Sequence, residues 1–414
     1  MAVVRPFRAL RPDSKLVAKV AALPYDVMSS DEARVMVKDN LTSFLRIDRA
    51  EVNFPEPIDV HHPSVYSKAR EILLQMIADK VYQQDENDCF YIYQQIMDGR
   101  KQTGLVCSTS IDDYLNDIIK KHEHTRPDKE QDRIDHIDTT QAHTGPIFQT
   151  YKTQPVIEEI IRVWTTQHTP IYDFMAEDGV SHICWVINCE DTIKQLVASF
   201  EQVENLYIAD GHHRSAAALK VGLKRRESNK QWSGREEYNY FLSVLFPETE
   251  LKILPYNRVV SDLAGLSDDQ FLQRVRENFV VEIAPNQPYQ PDEKQTYGMF
   301  LAGMWYKLTP KPEACSPSDP VKQLDVAILQ DCLLHPILNI LDPRTDQRIQ
   351  FVGGIRGTKE LEHRVNQDMK VAFSLYPTAI TEVMDVADAN KVMPPKSTWF
   401  EPKLRSGIFI HLLD

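Results

Sequence analysis

A short apolar run, Leu206-Tyr207-Ile208-Ala209, passes directly into the polar turn Asp210-Gly211-His212-His213-Arg214. From there the chain enters Ser215 to Arg226, a stretch rich in helix formers. The pattern predicts a strand that turns at a glycine straight into a helix. Such a junction gathers unpaired first-turn amides and the positive end of the helix dipole at one point, and a glycine there lets a ligand approach the backbone. Anions dock readily at such places. His212 and His213 add donors, and the planar fork of Arg214 suits phosphate oxygens. The competing reading is a capping aspartate, Asp210, followed by surface histidines. A third is zinc ligation by the two histidines, but neighbours on a helix point about 100° apart, so no metal ligand is expected here.

Any phosphate cradle must be built without a glycine-rich loop. The 414 residues hold 14 glycines against 25 prolines, with no GxGxxG and no GxxxxGK. The length corresponds to two or three domains. With 42% hydrophobic and 26% charged residues, a collagen-like, mucin-like or largely disordered chain is ruled out. The net charge of -13 argues against a broad nucleic-acid-binding face, which would need Lys and Arg to neutralise phosphates. Met1 to Pro12 lacks the apolar centre of a signal peptide, and no stretch approaches the roughly 20 apolar residues of a membrane span. Six cysteines, Cys89, Cys107, Cys184, Cys189, Cys315 and Cys332, form no CxxC pair, so a reduced, cytoplasmic chain with buried thiols is expected.

The fold class read from the chain is α+β, in three regions: 1–88, 89–250 and 251–414. The first carries a helix over Ser64 to Asp79. The second opens with a hairpin, Phe90 to Met97 and Gln102 to Ile111, around Asp98-Gly99-Arg100. An amphipathic helix is expected over Asp112 to Lys121, then strands at Ile171 to Ala176 and Ser181 to Ile187 and a helix at Thr192 to Val203. Strands are further expected at Tyr240 to Phe246, at the close of the second region, and at Leu251 to Val260, Gly298 to Leu308 and Ile349 to Gly353 in the third. Helices are expected at Asp268 to Asn278, capped by Ser267, at Gln323 to Leu334 and at Lys359 to Asn366. Pro285 to Pro320 reads as loop-rich.

Two further places have chemical potential. His122 to Arg133 is almost wholly polar and reads as a solvated loop or a site. In it Glu123 would serve as a general base if burial and neighbouring cations tuned it, and Arg126, Lys129 and Arg133 would neutralise a polyanion. Near the C-terminus, Lys396, Ser397 and Thr398 are phosphate-binding types without an upstream glycine loop, and a rigid turn into a final strand explains them as well. The glycines of Gly353 to Gly357 allow close ligand approach or simply a tight turn.

Five stretches in order, PFRALRP (Pro6 to Pro12), LPYDV (Leu23 to Val27), KKHEHT (Lys120 to Thr125), ADGHHR (Ala209 to Arg214) and MPPKSTWFEPK (Met393 to Lys403), resemble the family of domains of unknown function numbered 1015. That family is similar to the ParB/sulfiredoxin-like superfamily, some of whose members are free-serine kinases. The resemblance implies a ParB/sulfiredoxin-like nucleotide-binding core over 89–250, flanked by additional N-terminal and C-terminal α+β regions. It implies that Gly211 to Arg214, with Asp210, hold nucleotide phosphates. Sulfiredoxins carry a catalytic cysteine inside this turn, where His212 stands here, so sulfinic acid reduction is not implied. His122-Glu123 is similar to a segment whose glutamate deprotonates the substrate hydroxyl. The activity implied is a phosphotransferase using ATP or ADP with Mg2+ on a small hydroxyl substrate such as serine. In it His122, Arg126 and Lys396 assist with substrate or charge. The alternative is a nucleotide-binding regulatory module without transfer activity. Neither reading needs nucleic acid or a membrane as partner, and the oligomeric state is left open.

Overall fold

The computed structural model describes residues 1–312 and 319–413 and has an α+β fold. Cys315 and part of the proline-rich stretch lie outside the described residues. The chain divides into two compact units, one of residues 1–251 with 402–414 and the other of residues 252–401. Residues 1–88 therefore share a unit with the stretch that follows them, and the last thirteen residues return to it.

The first unit is built on a nine-stranded sheet. Its strands are β1 (Val4–Arg5), β2 (Phe90–Met97), β3 (Arg100–Ser110), β4 (Ile119–Lys120), β5 (Ile147–Tyr151), β6 (Tyr172–Met175), β7 (Ser181–Ile187), β8 (Leu206–Asp210) and β9 (Tyr240–Pro247). The order is β4-β8-β5-β9-β3-β2-β7-β6, with β1 also paired to β3. The hairpin β2–β3 turns at Asp98-Gly99, both with positive φ, as the sequence leads one to expect. Helices α1 (Pro63–Ala78), α2 (Pro127–Thr140), α3 (Pro155–Gln167), α4 (Glu190–Phe200) and α5 (His212–Ser228) accompany it. Ile157, Ile161 and Trp164 of α3, Leu196 and Phe200 of α4 and Ala216 and Ala218 of α5 join Leu105, Ile147, Ile208 and Leu245 in one core. The returning C-terminus pairs His411 with His143 and Ile410 with Leu10.

The second unit is a six-stranded antiparallel sheet. It contains β10 (Tyr256–Val260), β11 (Phe279–Ile283), β12 (Tyr297–Leu301), β13 (Met304–Pro310), β14 (Ile349–Gly353) and β15 (Val371–Leu375), ordered β11-β13-β12-β15-β10-β14. Successive residues of a strand face opposite sides. Val260, Met299 and Phe373 accordingly pack with α6 (Asp268–Asn278), while Val259, Phe300 and Ala372 pack with Leu361 of α7 (Gly357–Gln367). Ser267 caps α6 and forms a reciprocal capping box with Gln270.

Several local expectations are corrected. Asp112 to Lys121 is not one helix: helical structure covers only Ile111–Leu115, capped by Ser110, and Ile119–Lys120 is strand β4. Asp117 takes φ +57°, which breaks the helix, and β-branched Ile118 and Ile119 favour the strand that follows. The polar segment after His122 becomes α2 at Pro127, proline being pre-set for a first helical position. Leu251 to Val260 is two strands interrupted at Pro255, and Gly298 to Leu308 is a hairpin turning at Ala302-Gly303. Cys89, Cys107, Cys184 and Cys332 are buried as expected, but Cys189 is exposed. Among the described residues no helix is long and apolar enough to cross a membrane.

Candidate functional site

Strand β8 is buried from Leu206 to Ala209 and lies between antiparallel β5 and parallel β4. Gly211, at φ +104° and ψ 28°, is the N-cap of α5, so the chain turns from strand to helix within one residue. The conformation is one that side-chain-bearing residues rarely adopt, which is why glycine stands there. No side chain caps this helix end. The reading of Asp210 as a cap over surface histidines is thereby corrected. Asp210 instead binds Lys403, with Oδ2 3.0 Å from Nζ, and His212 is only 5% exposed. Although burial opposes it, Lys403 and Arg214 hold the Asp210 carboxyl well below the usual carboxylate range.

The parallel register, Leu206 beside Ile119 and Tyr207 beside Lys120, carries the ends of β4 and β8 to the same edge. His122, two residues past β4, therefore meets His212: their rings lie 4.5 Å apart, edge to face. Glu123 stands next to them, with Oε2 4.0 Å from His212 Nδ1. His122 is 3% exposed. Neither of its ring nitrogens makes a well-formed hydrogen bond, although the Ile208 carbonyl lies beside the ring, and His212 Nε2 is likewise buried without a partner. Burial pushes the His122 pKa down to about 4 and holds that of His212 well below the usual imidazole range, so both imidazoles are neutral at pH 7. Glu123 itself is 52% exposed, so the burial expected to tune it is not present.

The remaining sequence candidates take separate places. His213 is half-buried and accepts a hydrogen bond at Nε2 from the Arg126 amide, 3.0 Å away, which ties α5 to the start of α2. Burial lowers its pKa too. The Arg126 guanidinium is exposed and pairs with Asp128 at 2.8 Å. Arg133 does not face outward to neutralise a polyanion: it is buried, bonded to Asp132 and stacked on Tyr25. Arg214 turns inward. Its Nη1 donates to the Pro146 carbonyl, its Nη2 lies 3.7 Å from Asp210, and Gly145 and Gly211 leave it room. It lines a cavity of about 20 Å³ with Tyr25, Asp48, Arg133 and His136, room for one water. The corner thus offers amides and imidazoles, with its guanidinium engaged internally. Lys396 belongs to the second unit, where its Nζ lies 5.7 Å over the Tyr256 ring and its carbonyl accepts from Arg258.

Sequence reasoning missed Lys403 and the meeting of His122 with His212. Lys403 closes the stretch Met393 to Lys403, so it was in view, but its partner lies 193 residues away.

A family model described as a protein of unknown function, DUF1015, matches residues 4–327. The chain belongs to the DUF1015 family. The match covers four of the five stretches that resemble the family, including both halves of the corner, while Met393 to Lys403 lies beyond it. Among solved structures, this DUF1015 protein is similar to a free serine kinase mutant in complex with AMP, at 12% identity and a TM-score of 0.38 over 74% of this chain and 91% of that one. It is similar to a conserved hypothetical protein from Pyrococcus furiosus, at 13% identity and a TM-score of 0.36 over 75% and 95%. A third is SbnI with C-terminal truncation from Staphylococcus aureus, at 12% identity and a TM-score of 0.39 over 74% and 87%. No curated protein matches the sequence.

Proposed function

We propose that this DUF1015 protein is a nucleotide-dependent phosphotransferase acting on a small hydroxyl substrate such as free serine. The observation that carries the reading is the uncapped start of α5 at Gly211, set beside a half-exposed carboxylate, Glu123. First-turn amides of His212 and His213 would receive the terminal phosphates of ATP or ADP, where the helix dipole favours negative charge. Glu123 would accept the proton of the substrate hydroxyl as its oxygen bonds to the terminal phosphorus. The bond from that phosphorus to the bridging oxygen then breaks, and the shortened nucleotide leaves. Such a transfer needs chiefly positioning and charge stabilisation.

In this reading Asp210 and Lys403 form the wall behind the phosphates, and Arg126 lies close enough to His213 to move toward them. Arg214 supports the turn from inside. Mg2+ prefers oxygen ligands in a near-octahedral set, whereas the donors gathered here are two imidazoles and one carboxylate, with Asp210 already held by Lys403. The residues do not fit a protein-held Mg2+.

The test combines thermal shift and turnover. The reading expects ATP or ADP to stabilise the wild type and phosphoserine to form from serine. Glu123→Gln should keep the stabilisation and lower turnover by about 10²-fold or more. Stabilisation without product in both proteins would favour a nucleotide-binding regulatory module. No stabilisation by any nucleotide would overturn both readings.

A further inference from the structure

The geometry points to a transition-metal site formed by His122, Glu123 and His212, in which Glu123 serves as ligand in place of the base role that the phosphotransfer reading gives it. One ligand atom from each of the three side chains lies within 4.8 Å of the other two, and among the described residues this is the one such group of metal-ligating side chains. Tetrahedral ligands at bond lengths of about 2.0–2.1 Å stand on the order of 3.3 Å apart, so modest closure brings the three onto one ion. His212 is the first residue of α5, His122 lies two residues past β4, and Glu123 follows it in the loop.

The second observation is separate from the clustering. Both nitrogens of His122 and Nε2 of His212 are buried without hydrogen-bond partners. Leaving a buried polar group unpaired is costly, and a chain rarely places several together without something to bind them. An ion taking one lone pair from each ring leaves only the second His122 nitrogen to be satisfied. The Ile208 carbonyl beside His122 is placed as the outer partner that orients a ligating imidazole. His213, by contrast, spends its Nε2 on the Arg126 amide and lies outside the set.

Two imidazoles and a carboxylate favour Zn2+ or another first-row divalent ion over Mg2+ or Ca2+. Three protein ligands with a fourth position open are the composition of reactive rather than purely structural zinc sites. An ion held here would make Lewis-acid activation of a coordinated oxygen the contribution of this corner, with Glu123 serving as ligand.

The test uses the full-length chain without nucleotide. Metal content is measured after purification and dialysis, followed by titration of the stripped protein with Zn2+ and with Co2+, whose visible absorption reports imidazole coordination. The wild type is expected to bind one ion per chain. Glu123→Gln and His212→Gln should each weaken binding at least tenfold, while His124→Gln, at an exposed neighbouring histidine, should leave it unchanged. Circular dichroism establishes that each variant is folded. Because Glu123 is half exposed, its variant tests the site even if the histidine variants fail to fold. Absence of stoichiometric Zn2+ or Co2+ binding by the wild type would overturn the site. So would binding that survives Glu123→Gln or is equally lost in His124→Gln.

Discussion

Gly211→Ala interrogates the corner where it is most constrained. The residue sits at φ +104°, and a left-handed backbone costs a side-chain-bearing residue roughly 1–2 kcal/mol. The added Cβ would also stand 3.2 Å from each of three guanidinium atoms of Arg214, Cζ, Nε and Nη2. That contact pushes Arg214 by a few tenths of an ångström against its bond to the Pro146 carbonyl and its approach to Asp210. Hydrogen bonds of charged groups are worth about 1.5–3 kcal/mol, so weakening this set should add about 1 kcal/mol. The expected loss is about 2–3 kcal/mol in the wild-type background and about 1–2 kcal/mol in an Arg214→Met background, where only the backbone strain remains. Urea titration read by amide hydrogen exchange over Leu206–Ser228 localises the effect to the first unit. Equal losses in the two backgrounds would refute the packing of Arg214 over Gly211. A loss below about 0.5 kcal/mol would refute the left-handed turn itself.

Two further expectations concern other regions. Burial, with Glu382 nearby and despite the Gln295 amide, pushes the Asp325 pKa up to about 7. The unfolded carboxyl ionises near 4, so stability from the neutral form is complete below about pH 4 and is lost as pH rises to about 7, by at most roughly 4 kcal/mol. Asp325→Asn should flatten that decline in urea midpoints between pH 5 and 8, and parallel profiles for the two proteins would contradict it. Among the described cysteines only Cys189 is exposed, and hydrogen bonds from Thr192 and from the Asp191 backbone lower its thiol pKa. Iodoacetamide should therefore label Cys189 in the folded protein before Cys89, Cys107, Cys184 or Cys332, as peptide mass spectrometry would detect. Simultaneous labelling would contradict the burial of those four.

Much of the local structure is legible in the chain because neighbours in sequence decide it. Leu206 to Ala209 reads as buried extended backbone, Gly211 as a turn and Ser215 to Arg226 as a helix, and each is found so. Ser267, as a capping residue, announces α6 in the same way. The misreadings arise where one pattern serves two structures: the apolar spacing over Tyr114 to Ile119 suits an amphipathic helix, yet Asp117 breaks it and β8 recruits Ile119 as a partner strand.

What the tertiary structure alone decided is which side chains meet. His122 reaches His212 because β4 and β8 pair in parallel, at one register among several that their apolar residues would tolerate. Lys403 takes the Asp210 carboxylate from the far end of the chain, and the Pro146 carbonyl draws Arg214 inward. Side-chain periodicity records which face of an element is buried, but strand order and register, summed over the whole sheet, determine what that face touches.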